Sequence, residues 1–198
     1  MEQFADDLAR MLDALGVTQQ VVFCGLSMGG YIGWPFWQRH QRRLRGMILC
    51  DTRAAADAPE AAANRRVMAE RVEAEGQTFL ADSMLPRLFG ERAQRELPHV
   101  VAATREVMLQ NNRGGIAAAL RGMADRPDST PLLSQISCPT LLICGHDDVI
   151  SPAKEMRDIA AAIPGGTFVD IPNCGHMSTL EDAAAVNHAI REFAGPLR

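Results

Sequence analysis

No stretch of this 198-residue chain approaches the ~20 apolar residues that cross a bilayer. Its opening MEQFADDLARM lacks the basic start and apolar centre of a targeting segment. Both absences lead us to expect a soluble, cytoplasmic protein with no membrane partner. No CxxC pair occurs among the five cysteines, Cys24, Cys50, Cys138, Cys144 and Cys174, an odd number mostly at the ends of apolar runs. They are expected to be small buried hydrophobes in a reducing compartment, with neither a disulfide framework nor a metal cluster. There is no surplus of positive charge: 20 Lys and Arg stand against 24 Asp and Glu, net −4, which gives no electrostatic basis for a nucleic-acid partner. The one basic cluster, Arg39, Arg42, Arg43 and Arg45, falls where a helix should end, and needs no further account. Low-complexity tracts and internal repeats are absent, and 47% hydrophobic with 22% charged residues is ordinary for one globular domain, at most with a small appendage.

What is present alternates. Phe4, Leu8, Met11, Leu12 and Leu15 mark one face of a helix that stops at Gly16. QVVFC (20–24) reads as a buried strand, a helical pattern follows from 28 to about 40, and GMILCD (46–51) is a second strand. Pro35 should kink that helix, while Trp34, Phe36 and Trp37 read as core or insertion contacts. From Thr52 to Ser137 no strand-like run occurs; Gly76, Pro86, Gly90, Pro98, Gly114 and Pro127 divide it into three or four helices. Then come the strand TLLIC (140–144), a helix between Pro152 and Pro164, the strand TFVDI (167–171) and a last helix. Ser178 and Glu181 have capping-box spacing, and Ala183, Val186, Ile190 and Phe193 form an apolar stripe. Short strands, apolar on both faces and alternating with helices, predict an α/β fold with a mostly parallel sheet flanked by helices.

Gly25-Leu26-Ser27-Met28-Gly29 fits GxSxG and lies between a predicted strand and helix, where a sharp turn would hold the serine hydroxyl out beyond the sheet. A serine that merely caps a helix is the plainer alternative; a Walker loop is not, since no Lys follows the glycines. A hydroxyl needs a base, and the base an orienting acid. Of the five histidines, His40 ends the basic helix, His99 lies in the long helical stretch, His188 falls off the apolar stripe of the last helix and His146 is in a loop two residues from Asp148; His176, in the turn PNCGHMS after a strand and at the same sheet end as Ser27, is taken as the base. For the acid, Asp147 and Asp148 in GHDDVISP and Asp51 at the end of GMILCD all qualify.

Ser27, Asp148 and His176, in that chain order and each just past a strand, resemble the α/β-hydrolase superfamily. GLSMGGYIG, GHDDVISP and IPNCGHMSTLED are most similar to its 3-oxoadipate enol-lactonases and related carboxylic-ester hydrolases. The resemblance implies Asp148 rather than Asp147 as the acid, a core of residues 1–52 and 138–198, and a helical cap at 53–137. It implies hydrolysis of a small-molecule ester or lactone without metal or cofactor. Met28 N–H would meet the oxyanion beside Leu26, and Met84, Leu88, Phe89 and Met108 would line an acyl pocket. Family members carry several strands before the elbow and a His-Gly-type loop that donates a second oxyanion hydrogen bond, whereas 26 residues precede Ser27 here. We therefore expect an N-terminally truncated form of that fold. Loss of a donor costs about 10²- to 10³-fold in turnover, and an open edge at 20–24 invites self-association. The rival expectation is an impaired or non-catalytic homologue that serves in binding or assembly.

Overall fold

A computed structural model describes residues 1–197 of the chain. Four strands, β1 (Val21–Leu26), β2 (Leu44–Cys50), β3 (Thr140–Gly145) and β4 (Gly166–Ile171), form one sheet in sequence order. Every pairing is parallel. Because side chains alternate along a strand, β2 sends Met47 and Leu49 to one face and Ile48 and Cys50 to the other. The first face is covered by α1 (Glu2–Ala14), α2 (Met28–His40) and α8 (Ala153–Ala162), with Phe36, Leu142 and Met156 fully buried there. The second is covered by α10 (Ala183–Ala194) through Val186 and the half-buried Ala189, Ile190 and Phe193. Each fully buried side chain of this size contributes roughly 1.5–3 kcal/mol. Among the described residues, no helix is long and apolar enough to cross a membrane.

Between β2 and β3 lie five helices rather than the expected three or four: α3 (Pro59–Glu75), α4 (Thr78–Leu88), α5 (Glu91–Glu96), α6 (Pro98–Gln110) and α7 (Arg113–Ala124). Gly76, Gly90 and Pro98 fall at the breaks, and the short α5 between the last two went unforeseen. Ala69 and Val72 of α3 pack on Ala117 and Leu120 of α7 as a separate small core. Within the insertion a buried ion pair, Arg126 to Asp57 at 2.9 Å, holds the Arg126 guanidinium, which stacks 4.1 Å over the Tyr31 ring and so ties the insertion to α2.

Two local features differ from the pattern read along the chain. The apolar stripe of α1 is only partly its buried face: Ala5 and Ala9 are buried and Leu8 and Leu12 pack half-buried against the core, while Phe4, Met11 and Leu15 are exposed. Asp6 and Asp13 anchor this helix to Arg39, His40 and Arg43, which also accounts for part of the basic cluster. The pairing with Arg39, and then His40, holds the Asp6 carboxyl at about 2. Cys24 is exposed, because β1 has a neighbour only on its β2 side among the described residues. Pro35 lies inside α2, where the expected interruption falls within one continuous helix, Met28–His40.

The exposed side of β1 borders a groove of about 330 Å³ whose walls include Leu8, Met11, Leu12, Phe23 and Ile32. Unpaired strand amides beside an apolar trough form a template for another strand. We propose that this 198-residue chain pairs with a second copy along β1. At tens of micromolar it should elute from size exclusion well above its 21.6 kDa, and Val22→Lys should shift it toward monomer. A single monomeric peak for the unaltered chain would refute the pairing.

Candidate active site

Parallel strands deliver their C-terminal ends to one edge of the sheet, and each of the four ends here in a polar group. Ser27 follows β1, Asp51 follows β2, Asp148 lies three residues past β3, and His176 five past β4.

Ser27 occupies the elbow at φ 52°, a strained value for a residue with a side chain. Its N–H donates to Cys50 O at 2.8 Å, and its carbonyl accepts from Thr52 Oγ1 at 2.8 Å, so both flanks of the turn are pinned to the end of β2. Although Ser27 stands at the N-terminus of α2, its side chain makes no capping bond. The hydroxyl points to His176 instead, which removes the capping alternative.

A turn this tight asks for glycine at one flank and not at the other. A Cβ on Gly25 would lie 2.5 Å from the Gly29 backbone, whereas a Cβ on Gly29 would meet nothing within 4 Å. Gly25→Ala is expected to cost about 2–3 kcal/mol in urea unfolding, and Gly29→Ala less than about 1 kcal/mol. Equal midpoints would contradict the geometry.

His176 is 2% exposed. Its Nε2 lies 2.8 Å from Ser27 Oγ and its Nδ1 2.8 Å from Asp148 Oδ2. Asp148 is also buried, and its other oxygen accepts the N–H groups of Ile150 at 2.7 Å and Ser151 at 3.0 Å. A carboxylate facing Nδ1 keeps the imidazole proton on that nitrogen, and Nε2 is then free to accept from the serine hydroxyl.

The other candidates lie elsewhere. Asp147 is exposed, its N–H bonded to Cys174 O. His146 pairs with Asp170, His40 with Asp6, and His99 and His188 are exposed. Asp51 is fully buried but makes no hydrogen bond to the imidazole; it accepts from Gly145 N and Ser178 Oγ. Leu26 and Met28, on either side of the serine, are half-buried. In the insertion, Leu88 O accepts the Met177 N–H at 3.0 Å, which sets Leu88 and the buried Phe89 beside the His176 segment. Met84 is half-buried on α4, and Met108 lines a cavity of about 130 Å³ walled by Gln77, Leu80, Ala81, Asn111 and Ile116.

The predicted capping box is replaced by longer-range bonds. Ser178 Oγ donates to Asp51 Oδ2 at 2.5 Å. The Glu181 oxygens accept the N–H groups of Gly90 and Gly175, each at 2.9 Å, and burial is the main influence raising its carboxyl. Asp182, not Ser178, caps α10 by accepting from Ala185 N. No local pattern announces these partners, since Asp51 and Gly90 lie far away in sequence.

Asp51, Cys144 and Asp148 bring possible metal-ligand atoms within 4.8 Å of one another. Both carboxylates, however, are occupied by N–H and O–H donors. Burial, with the charges of Asp51 and Asp148, keeps the Cys144 thiol firmly protonated. The donor chemistry is that of a hydrogen-bonded core.

The fold and these distances can now be set beside known proteins. The structure superposes on a thermophilic esterase from Thermogutta terrifontis with a TM-score of 0.97 and 48% identity, over 99% of this chain and 72% of that one. An enol-lactonase from Burkholderia xenovorans matches with a TM-score of 0.89 and 32% identity, over 98% and 72%. In sequence, 3-oxoadipate enol-lactonase 2 of Acinetobacter baylyi is 27% identical over 96% of this chain and 69% of its own length. The family model described as the alpha/beta hydrolase fold matches residues 1–183, and the chain belongs to that family.

Proposed function

We propose that the chain is a serine hydrolase that cleaves a carboxylic ester or lactone through an acyl-enzyme on Ser27. The observation that carries this reading is the unbroken line from Ser27 Oγ through His176 to Asp148, with both hydrogen bonds at 2.8 Å.

As Ser27 Oγ attacks the substrate carbonyl, its proton passes to His176 Nε2, and the Asp148 carboxylate stabilises the imidazolium that forms. The Met28 N–H, at the start of α2, faces the developing oxyanion. His176 then protonates the leaving oxygen. Water, deprotonated by the same nitrogen, releases the acid and restores the serine. In a lactone the leaving oxygen remains tethered to the acyl group, and a ring-opened hydroxy acid results.

We assign the insertion the role of a cap over this site, with Met84, Leu88 and Phe89 toward the acyl group. The names of the relatives, an esterase and enol-lactonases, support the substrate class. Five free thiols fit action in a reducing compartment such as the cytoplasm.

Labelling with a fluorophosphonate tests the reading directly. One adduct, mapped to Ser27 by mass spectrometry and absent in Ser27→Ala, is the expected result. A folded protein that takes up no label would instead favour the binding or assembly role.

A further inference from the structure

At the end of β2 sits a second buried carboxylate that the hydrogen-bonded line does not use. Asp51 is 0% exposed and adopts φ 47°, a conformation its side chain disfavours and its surroundings must impose. Its N–H donates to Ile143 O at 2.9 Å and its carbonyl accepts from Ser151 Oγ at 3.2 Å. Oδ1 accepts from Gly145 N at 2.8 Å, and Oδ2 from Ser178 Oγ at 2.5 Å. Gly145 opens the turn that carries Asp148, and Ser178 lies two residues beyond His176. One residue thus joins the acid turn to the base segment, while its neighbour Thr52 holds the serine elbow.

We propose that Asp51 is a positioning residue of the hydrolytic site, which clamps the acid and base segments together and places a second negative charge behind the His176–Asp148 pair. The proposal builds on the serine-hydrolase reading.

The groups that face Asp51 are Cys144 from β3, Asp148 and Ser151 from the acid loop, and His176 and Ser178 from the base segment. Cys144 and the two serines carry no charge there, so the carboxylate interacts with one anion and one imidazole. Burial pushes the Asp51 carboxyl up to about 7; the Ser178 and Gly145 hydrogen bonds lower it and the Asp148 charge raises it. Asp51 therefore gains charge as pH rises through neutrality. A charged Asp51 favours the imidazolium and so stabilises the cation formed when the serine proton is transferred. Removal of the charge does the reverse.

The test uses Asp51→Asn in the full chain, with the His176 ring resonance, assigned by its loss in His176→Gln, followed against pH by NMR. We expect the midpoint to fall by about half to one pH unit, as one nearby charge is removed. The acid limb of kcat/KM on a p-nitrophenyl ester should move by the same amount, with kcat down roughly tenfold and KM within about twofold. Ser178→Ala deletes one oxygen and makes the Asp51 charge harder to hold; it should shift the midpoint in the same direction, and it decides the matter should Asp51→Asn fail to fold. A His176 midpoint unchanged within about 0.2 unit would reduce Asp51 to a structural residue and overturn the proposal. The titration needs no turnover. If the unaltered chain hydrolyses no ester, the hydrolase reading fails while the Asp51 assignment is still judged by the NMR shift.

Discussion

Ser27→Ala is expected to lower kcat on a p-nitrophenyl ester by about 10⁴-fold or more, a barrier increase of at least ~5.5 kcal/mol. Under the proposed mechanism the substitution removes the atom that bonds to the carbonyl, and nothing else at the elbow can take its place: the neighbouring polar groups, Thr52 Oγ1 and the Ser27 amide, are already committed to Ser27 O and Cys50 O. Folding should be spared. The Ser27 side chain makes no capping bond, and both backbone bonds that pin the turn survive in alanine. A thermal midpoint near that of the unaltered chain, together with the loss of turnover, separates a chemical effect from a collapsed site. Turnover within about tenfold of the starting value would exclude Ser27 as nucleophile.

Asp148→Asn should cost nearly as much, about 10³- to 10⁴-fold in kcat, for a different reason. An amide that turns its NH₂ toward His176 Nδ1 demands an acceptor there, which drives the ring proton onto Nε2 and opposes it to the serine hydroxyl. If the amide turns the other way, its NH₂ faces the N–H groups of Ile150 and Ser151, which now point at Asp148 Oδ1. The first orientation leaves no proton acceptor facing Ser27, and the second leaves buried donors facing each other. Asp147→Asn is the control: that side chain is exposed, and the change should alter kcat less than about twofold. Similar losses in both variants would mean that the loop, rather than the Asp148 carboxylate, matters.

Much of this was readable from the chain because the fold repeats one device, a short apolar run followed at once by a polar turn. That pattern located all four strands to within a few residues and put Ser27, Asp148 and His176 at one sheet end. Residue types alone left Asp51, Asp147 and Asp148 equivalent and family resemblance chose Asp148; in the structure Asp148 Oδ2 lies 2.8 Å from His176 Nδ1. Local patterns misled wherever a distant partner outbid the near one. Ser178 and Glu181 have ideal capping spacing, yet their oxygens face Asp51, Gly90 and Gly175. The α1 stripe marks a helix correctly, but only Leu8 and Leu12 of it pack on the core while Ala5 and Ala9 make the close approach to α2, and helical periodicity alone does not say which neighbour a face will meet.

Glu181 ties the insertion to the His176 segment. One of its oxygens grips the backbone where α4 gives way to α5, the other grips the residue just before His176, and Leu88 adds a third tether two residues from the first grip. A hinge that lifted this part of the insertion would have to release the carboxylate or pull His176 away from Ser27 and Asp148. For the proposed hydrolase, access by wide opening and readiness for chemistry would thus exclude each other along this seam, and the route left for an ester would be one that slips past helices held in place.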